Sequence, residues 1–378
     1  MIYSADAIFD GQQWRTEAIG TQDGLCTGWV PAGRADRHFA GCRIVPAFVD
    51  IQVYGAGGRL FSAYPDSASL RVLAEENLAG GTALCQPTVA TNSPGVMRAC
   101  IDAVRQYWEE GGEGIAGLHL EGPWINPEKR GAHLVEYIHQ PTLEEVEELL
   151  AYGKDVIRTI TLAPECCPGP VLQMLKASGI VLSAGHSAIG FNAAMDAFTN
   201  NGITTITHLY NAMSALHHRE PGLVGAAFLH PEVYASIIPD DIHVDLNAVR
   251  IAYRQMKGRL FAITDAVTET AIGPYPHTLT ENSHYTSKGT LSGSALSMYQ
   301  AFSFLRTNVT GEPEEALRMC GTYPARVIGL DHYGKLGPGA AASFLVFDEA
   351  WSLVEVISEP GSRSPSLCGV HTAGTTRW

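Results

Sequence analysis

Long hydrophobic runs are missing from this 378-residue chain. No apolar stretch approaches the roughly 20 residues that cross a bilayer, so no membrane span is expected. The opening segment MIYSADAIFDGQQW has neither a basic n-region nor an apolar h-region, and no secretion signal is read there. Positive charge is scarce: Lys and Arg number 25 against 39 Asp and Glu, a formal net charge of −14, and no basic cluster occurs. That balance excludes nucleic acid and anionic membrane surfaces as partners. It leaves room for a small anionic ligand, because one Arg, a few His and backbone N–H groups can hold a phosphate against the overall field. The eight cysteines (Cys26, Cys42, Cys85, Cys100, Cys166, Cys167, Cys320 and Cys368) form no CxxC and no regular spacing. Cys85 falls in an apolar run, and Cys100 and Cys320 in helix-like segments. Reduced, structural thiols and a cytoplasmic location are therefore expected. There is no GxxxxGK phosphate loop and no GxSxG elbow, which removes support for nucleotide hydrolysis and serine esterase chemistry.

What is present is an ordinary globular composition, 46% hydrophobic and 17% charged, on a chain long enough for one barrel-sized domain with an appendage. Residues 1–43 read as short strands, with Asp10-Gly11 as a hairpin signal. From 44 onward strand-like runs alternate with helices. The runs are 44–53, 82–90, 115–122, 156–165, 179–186, 202–209, 233–240 and 260–266. Between them, Ser93-Pro94 opens a helix over 94–110, and Thr142-Leu143-Glu144-Glu145 reads as a capping box. Helical spacing also covers 188–201 and 246–257. Eight alternations predict a (β/α)8 TIM-like barrel over 44–330. Residues 331–378 return to strand character in ASFLVFDEAWSLVEVISE and are expected to pair with 1–43 in a small β-sandwich domain.

Four of the apolar runs stop abruptly at a polar residue: Glu121 in LHLEGP, His186 in VLSAGHS, His208 in ITTITHLYNAM and Asp265 in LFAITDAV. In a barrel of parallel strands the C-terminal strand ends share one mouth, so these four can converge. One carboxylate and two imidazoles make a three-ligand metal site with an open position, and a second carboxylate can move protons. Alone, each has a blander reading, as a satisfied core histidine or a capping carboxylate. Together they point to metal-assisted hydrolysis, with Glu121, His186 and His208 as ligands.

The motifs HLEGPW (119–124), GHS (185–187), THLYNAM (207–213), REPGLVGA (219–226), IHVD (242–245), TDA (264–266) and LSGSALSM (291–298) run in order along nearly the whole chain. They resemble the N-acetylglucosamine-6-phosphate deacetylases of the amidohydrolase superfamily, and GKLGPGAAASFLVFD (334–348) is similar to that superfamily's return strand into the small β domain. The resemblance implies hydrolysis of the acetamide of N-acetyl-D-glucosamine 6-phosphate to D-glucosamine 6-phosphate and acetate. It implies one divalent metal ion per subunit, read as Zn²⁺ with Fe²⁺ or another divalent ion as alternatives. Asp265 matches the catalytic acid/base. Ala132, His133, Asn211, Ala212, His243, Leu291, Ser292 and Gly293 match substrate contacts, and Arg219 matches the phosphate contact. In the family that Arg can come from a neighbouring subunit, which implies a homodimer.

Two positions depart from the pattern. Many amidohydrolases carry His-x-His on the first barrel strand to hold a second metal. Gln52 and Tyr54 stand there instead, and a mononuclear site is expected. Asp240-Asp241 replaces the family's Asp-Gly, adding a negative charge near the expected anion site. The competing readings are a deacetylase of another N-acetyl amino sugar, another cyclic-amide hydrolase, and a barrel that has lost catalysis and serves as a scaffold.

Overall fold

The computed structural model describes residues 1–281 and 284–364; Cys368 and the end of the expected C-terminal β segment lie outside the described residues. Eight parallel strands form the barrel: Phe48–Val53, Thr82–Ala90, Leu118–Glu121, Ile157–Leu162, Val181–Ala184, Ile203–Ile206, Tyr234–Ile237 and Leu260–Ala262. Each pairs with its neighbours in chain order. Both faces are covered, by side chains inside and helices outside, which is why the runs read as continuously apolar rather than alternating. First and last strands close the ring past their ends. The Asp265 N–H donates to the Gln52 carbonyl at 3.0 Å and the Tyr54 N–H to the Ala266 carbonyl at 2.8 Å. The closure therefore fixes the backbone of Asp265 itself.

The second sheet has seven strands drawn from both ends of the chain. Its order is Leu353–Ser358, Ser343–Asp348, Arg37–Pro46, Ile2–Phe9, Ala18–Gln22 and Leu25–Val30, with Trp14–Arg15 paired to Ile2–Phe9. Strand periodicity divides its side chains between two cores. Ile8, Ile44, Phe344 and Val346 belong to the sheet's own apolar cluster. Their neighbours Phe9, Val45, Leu345 and Phe347 pack into the barrel core. The strand Arg37–Pro46 runs three residues past the boundary read at 43 and leads directly into the first barrel strand. The Asp10-Gly11 turn joins antiparallel strands; Gly11 takes φ +103°, and the Asp10 carboxylate accepts from the backbone of Gln12 and Gln13, each at 2.8 Å.

One expected cap is only half formed. Thr142 Oγ1 accepts from the Glu145 N–H at 3.2 Å at the start of the helix Leu143–Gly153. The Glu145 carboxylate instead takes hydrogen bonds from Trp124 Nε1 and His139 Nε2, at 3.1 and 2.8 Å. These donors lie outside the helix, and they divert the carboxylate that a reciprocal capping box needs. The stretch between the eighth strand and the helix Met298–Leu305 carries a small antiparallel sheet, Thr278–Leu279, His284–Ser287 and Thr290–Ser294, which sequence periodicity did not reveal. No helix among the described residues is long and apolar enough to cross a membrane. The seven described cysteines are all unpaired.

Candidate active site

Glu121 is the last residue of its strand, and His186, His208 and Asp265 follow theirs within three residues. His186, His208 and Asp265 adopt left-handed backbone, at φ +48°, +37° and +53°. For residues with a Cβ this conformation costs on the order of 1–3 kcal/mol and persists where surrounding structure enforces it. Here hydrogen bonds from neighbouring strands do so. The His208 N–H donates to Ser236 Oγ at 2.7 Å, and the Asp265 carbonyl accepts the Ser294 N–H at 3.0 Å. The turn swings each side chain inward over the barrel mouth.

The two oxygens of Glu121 have different surroundings. Oε1 lies 3.2 Å from His186 Nε2 and 3.0 Å from His208 Nε2, and those two nitrogens are 3.1 Å apart. Oε2 accepts hydrogen bonds from the Tyr54 hydroxyl and from His133 Nε2, the latter at 3.2 Å. Tautomers separate the imidazoles. The Lys129 carbonyl, 2.8 Å from His186 Nδ1, requires the proton there, so neutral His186 presents a bare Nε2 to the cluster. The backbone N–H of Thr91 donates to His133 Nδ1 at 3.3 Å, so that nitrogen is bare and the proton sits on Nε2, facing Glu121. Burial lowers the His133 pKa to about 4 and also lowers that of His208, keeping both neutral. Glu121, His133 and His186 also group within 4.8 Å. The Nε2 proton makes His133 a hydrogen-bond donor there and leaves His208 as the third electron-pair donor.

Three lone pairs thus converge at 3.0–3.2 Å. Tetrahedral ligands held at 2.0–2.1 Å from Zn²⁺ lie about 3.3 Å apart, so the cluster fits one such cation with little adjustment. Burial alone would push Glu121 up, but the hydrogen bond from His133 Nε2–H and the closeness of the His186 and His208 rings hold it well below the usual carboxylate range, ionised as a ligand must be. The second ring nitrogen of His186 is held by the Lys129 carbonyl, whereas His208 Nδ1 is buried without a hydrogen-bond partner.

Asp265 is displaced in the opposite direction. Burial, the nearby charge of Glu121 and that of Asp50 raise its pKa well above the ordinary value. Gln52 Nε2 joins the two carboxylates, 2.7 Å from Asp265 Oδ1 and 3.1 Å from Glu121 Oε1. Beneath them Asp50, fully buried, accepts from the Thr264 hydroxyl at 2.5 Å and from the Gln52 N–H at 3.2 Å; burial raises its pKa to about 6. His119 is a satisfied core residue, with Nε2 2.7 Å from the Thr161 hydroxyl and its pKa lowered to about 4 by burial.

Glu121, His133, His186, His208 and Asp265 floor a pocket of about 220 Å³ lined also by Ala132, Asn211, Ala212, His243, Leu291, Ser292 and Gly293. His243 Nδ1 pairs with the Asp240 carboxylate at 2.5 Å, while His243 Nε2 and Asn211 Nδ2 are buried without hydrogen-bond partners. Burial pushes Asp240 up, but the bonds from His243 and neighbouring backbone N–H groups win and hold it low.

Residues 43–367 match the model of the amidohydrolase family. The chain is 34% identical over 332 residues to the N-acetylglucosamine-6-phosphate deacetylase of Danio rerio, a match spanning 82% of each chain. The chain belongs to the N-acetylglucosamine-6-phosphate deacetylase family of amidohydrolases. Within that deacetylase family it is also 33% identical to the N-acetylgalactosamine-6-phosphate deacetylase of Shewanella sp. strain ANA-3, over 88% of each chain. The crystal structure of the Pasteurella multocida N-acetylglucosamine-6-phosphate deacetylase shares its fold at a TM-score of 0.87 and 28% identity, covering 96% of this chain and 99% of that one.

Of the residues matched to the deacetylase motifs, the structure brings all but one to the pocket. Arg219 is the exception: it is exposed on the loop beyond Met213 and does not line the pocket of its own chain. A turn closed by bonds between His217 and Glu220 directs it outward. Among the described residues no Lys or Arg lines the pocket. Asp241 does not line the pocket either. It takes the left-handed backbone (φ +59°) that a glycine would adopt, and its exposed carboxylate accepts the Leu246 N–H at 2.8 Å, capping the following helix rather than lining the pocket. Tyr54, Tyr275 and His277 line the pocket without having been singled out as contacts. Tyr275 and His277 lie in the segment containing the unforeseen sheet, where no motif marked them.

Proposed function

We propose that this chain hydrolyses the acetamide of N-acetyl-D-glucosamine 6-phosphate, releasing acetate and D-glucosamine 6-phosphate. The observation that carries the reading is the convergence of Glu121, His186 and His208 at 3.0–3.2 Å, with a second buried carboxylate, Asp265, joined to Glu121 through Gln52. Glu121 is held ionised among bare imidazole nitrogens, and Asp265 beside it has a raised proton affinity. Glu121 Oε1, His186 Nε2 and His208 Nε2 would hold one divalent ion, Zn²⁺ in our reading. Bound there, it would lower the pKa of water toward roughly 7 and polarise the acetyl carbonyl.

Asp265 supplies the proton chemistry. It takes a proton from water as the oxygen–carbon bond forms, then delivers it to the sugar nitrogen as the carbon–nitrogen bond breaks. His133 Nε2–H is committed to Glu121, and His243 Nε2, bare while Nδ1–H faces Asp240, would accept a hydrogen bond from the substrate. Asn211 and the backbone at Ala212 would meet polar groups of the sugar phosphate. With no cationic side chain in the pocket of one chain, we assign phosphate recognition to Arg219 of a second copy, and hence a homodimer. The unpaired state of the seven described cysteines suits a cytoplasmic setting.

The Shewanella relative gives the galactose epimer specific weight as a second reading. Acetate release should be compared on N-acetylglucosamine 6-phosphate, N-acetylgalactosamine 6-phosphate and unphosphorylated N-acetylglucosamine. The proposal expects the first to have the highest kcat/KM and the last to be turned over at least tenfold less efficiently. Equal turnover of the unphosphorylated sugar would contradict it, and preference for the galactose epimer would replace it with the second reading.

A further inference from the structure

Tyr54 sits where a second metal's ligand would be expected, yet it is not an idle replacement. Its hydroxyl donates to Glu121 Oε2, the oxygen turned away from the His186–His208 pair. Gln52 Nε2 lies 3.0 Å from the Tyr54 oxygen and donates to it, which commits the phenol's own proton to Glu121. The ring is anchored in a small apolar cluster with Leu60, Leu134 and Tyr275, and the backbone is pinned by the bond from the Tyr54 N–H to Ala266 at 2.8 Å. A rigid base thus presents a single donor to one carboxylate oxygen.

The terminal torsion of a glutamate is broad and roughly two-fold, so the strand alone does not decide which oxygen faces the imidazoles. Two donors on Oε2, Tyr54 O–H and His133 Nε2–H, occupy its lone pairs, whereas Oε1 takes one donor, Gln52 Nε2 at 3.1 Å, and keeps a lone pair for a cation. Resting on the metal-site reading above, we propose that Tyr54 is a positioning residue that fixes Glu121 as a single-oxygen ligand. Groups that orient a ligand in this way typically contribute about 10–100-fold to metal affinity.

The test compares wild type with Tyr54→Phe, which deletes only the hydroxyl. The metal-free proteins are titrated with Zn²⁺ against a chromophoric chelator, with thermal melting of both metal-free forms as the control for folding. We expect similar melting and Zn²⁺ affinity about 10–100-fold weaker in the variant. Equal affinities would overturn the proposal. Should the variant melt early, Co²⁺ at saturation still decides. A carboxylate freed to bind through both oxygens raises the coordination number and weakens the visible ligand-field bands, whereas a spectrum identical to wild type would overturn the proposal. Wild type that binds no metal would instead bring down the metal-site reading itself, so the two failures are distinguishable.

Discussion

Asp265 joins proton affinity and placement in one residue. Burial and the charges of Glu121 and Asp50 raise its affinity, and the Gln52 contact on Oδ1 leaves Oδ2 to exchange a proton with substrate. Asp265→Asn keeps the shape and removes the proton acceptor. It should lower kcat by about 10²–10⁴-fold or more while metal stays bound, measured with metal content determined on the same sample. Near-normal turnover at full occupancy would refute the role, and lost metal with rescue by excess Zn²⁺ would make Asp265 a ligand. This residue, Glu121, His186 and His208 were legible in the sequence because each ends an apolar run, where a polar side chain has no place unless it is used. Gln52 and Tyr54 could be read only as missing ligands. Their hydrogen bonds to Glu121 and Asp265 cross 67 to 213 positions of sequence, a separation that no local pattern encodes. The proton on His133 Nε2 depends likewise on the Thr91 backbone, 42 positions away.

Strand ends set the reach of these side chains, and the small sheet over the mouth braces them. Ser294, at the end of Thr290–Ser294, donates its N–H to the Asp265 carbonyl and accepts from the Val267 N–H, at 3.0 and 3.2 Å. Gly293 beside it holds φ +137°, and a Cβ there would lie 2.9 Å from the Asp265 carbonyl oxygen and 2.7 Å from Val267 Cγ1. Gly293→Ala should therefore push directly on the Asp265 backbone. Since a shift of about 1 Å can cost 10²-fold, kcat should fall by roughly that factor with Zn²⁺ affinity little changed. Unchanged kcat would show that the mouth yields without moving Asp265. All eight barrel strands were visible as apolar runs, although the observed strands are mostly shorter, because the inward turn begins before the apolar letters end. The small sheet was not visible: Thr278–Leu279 has two residues, too few for a period, and its burial is set by contact with the mouth.

The whole molecule fastens a barrel to a sheet made from both chain ends, and one face of that sheet is part of the barrel core. Alternation in the segments around Ile44 and Phe344 made the pairing of the ends readable, whereas the way Arg37–Pro46 continues into the barrel depends on tertiary contact. What this frame supports is a single cation site at one mouth, with Gln52 and Tyr54 engaged in hydrogen bonds to Glu121. The most direct measurement strips the protein of metal, adds back Zn²⁺ in steps, and follows acetate release from N-acetylglucosamine 6-phosphate together with bound metal per chain. The account predicts no turnover without metal and activity rising in proportion to occupancy to a plateau at one equivalent. Full activity in the stripped protein, or a rise that continues to two tightly bound equivalents, would contradict it.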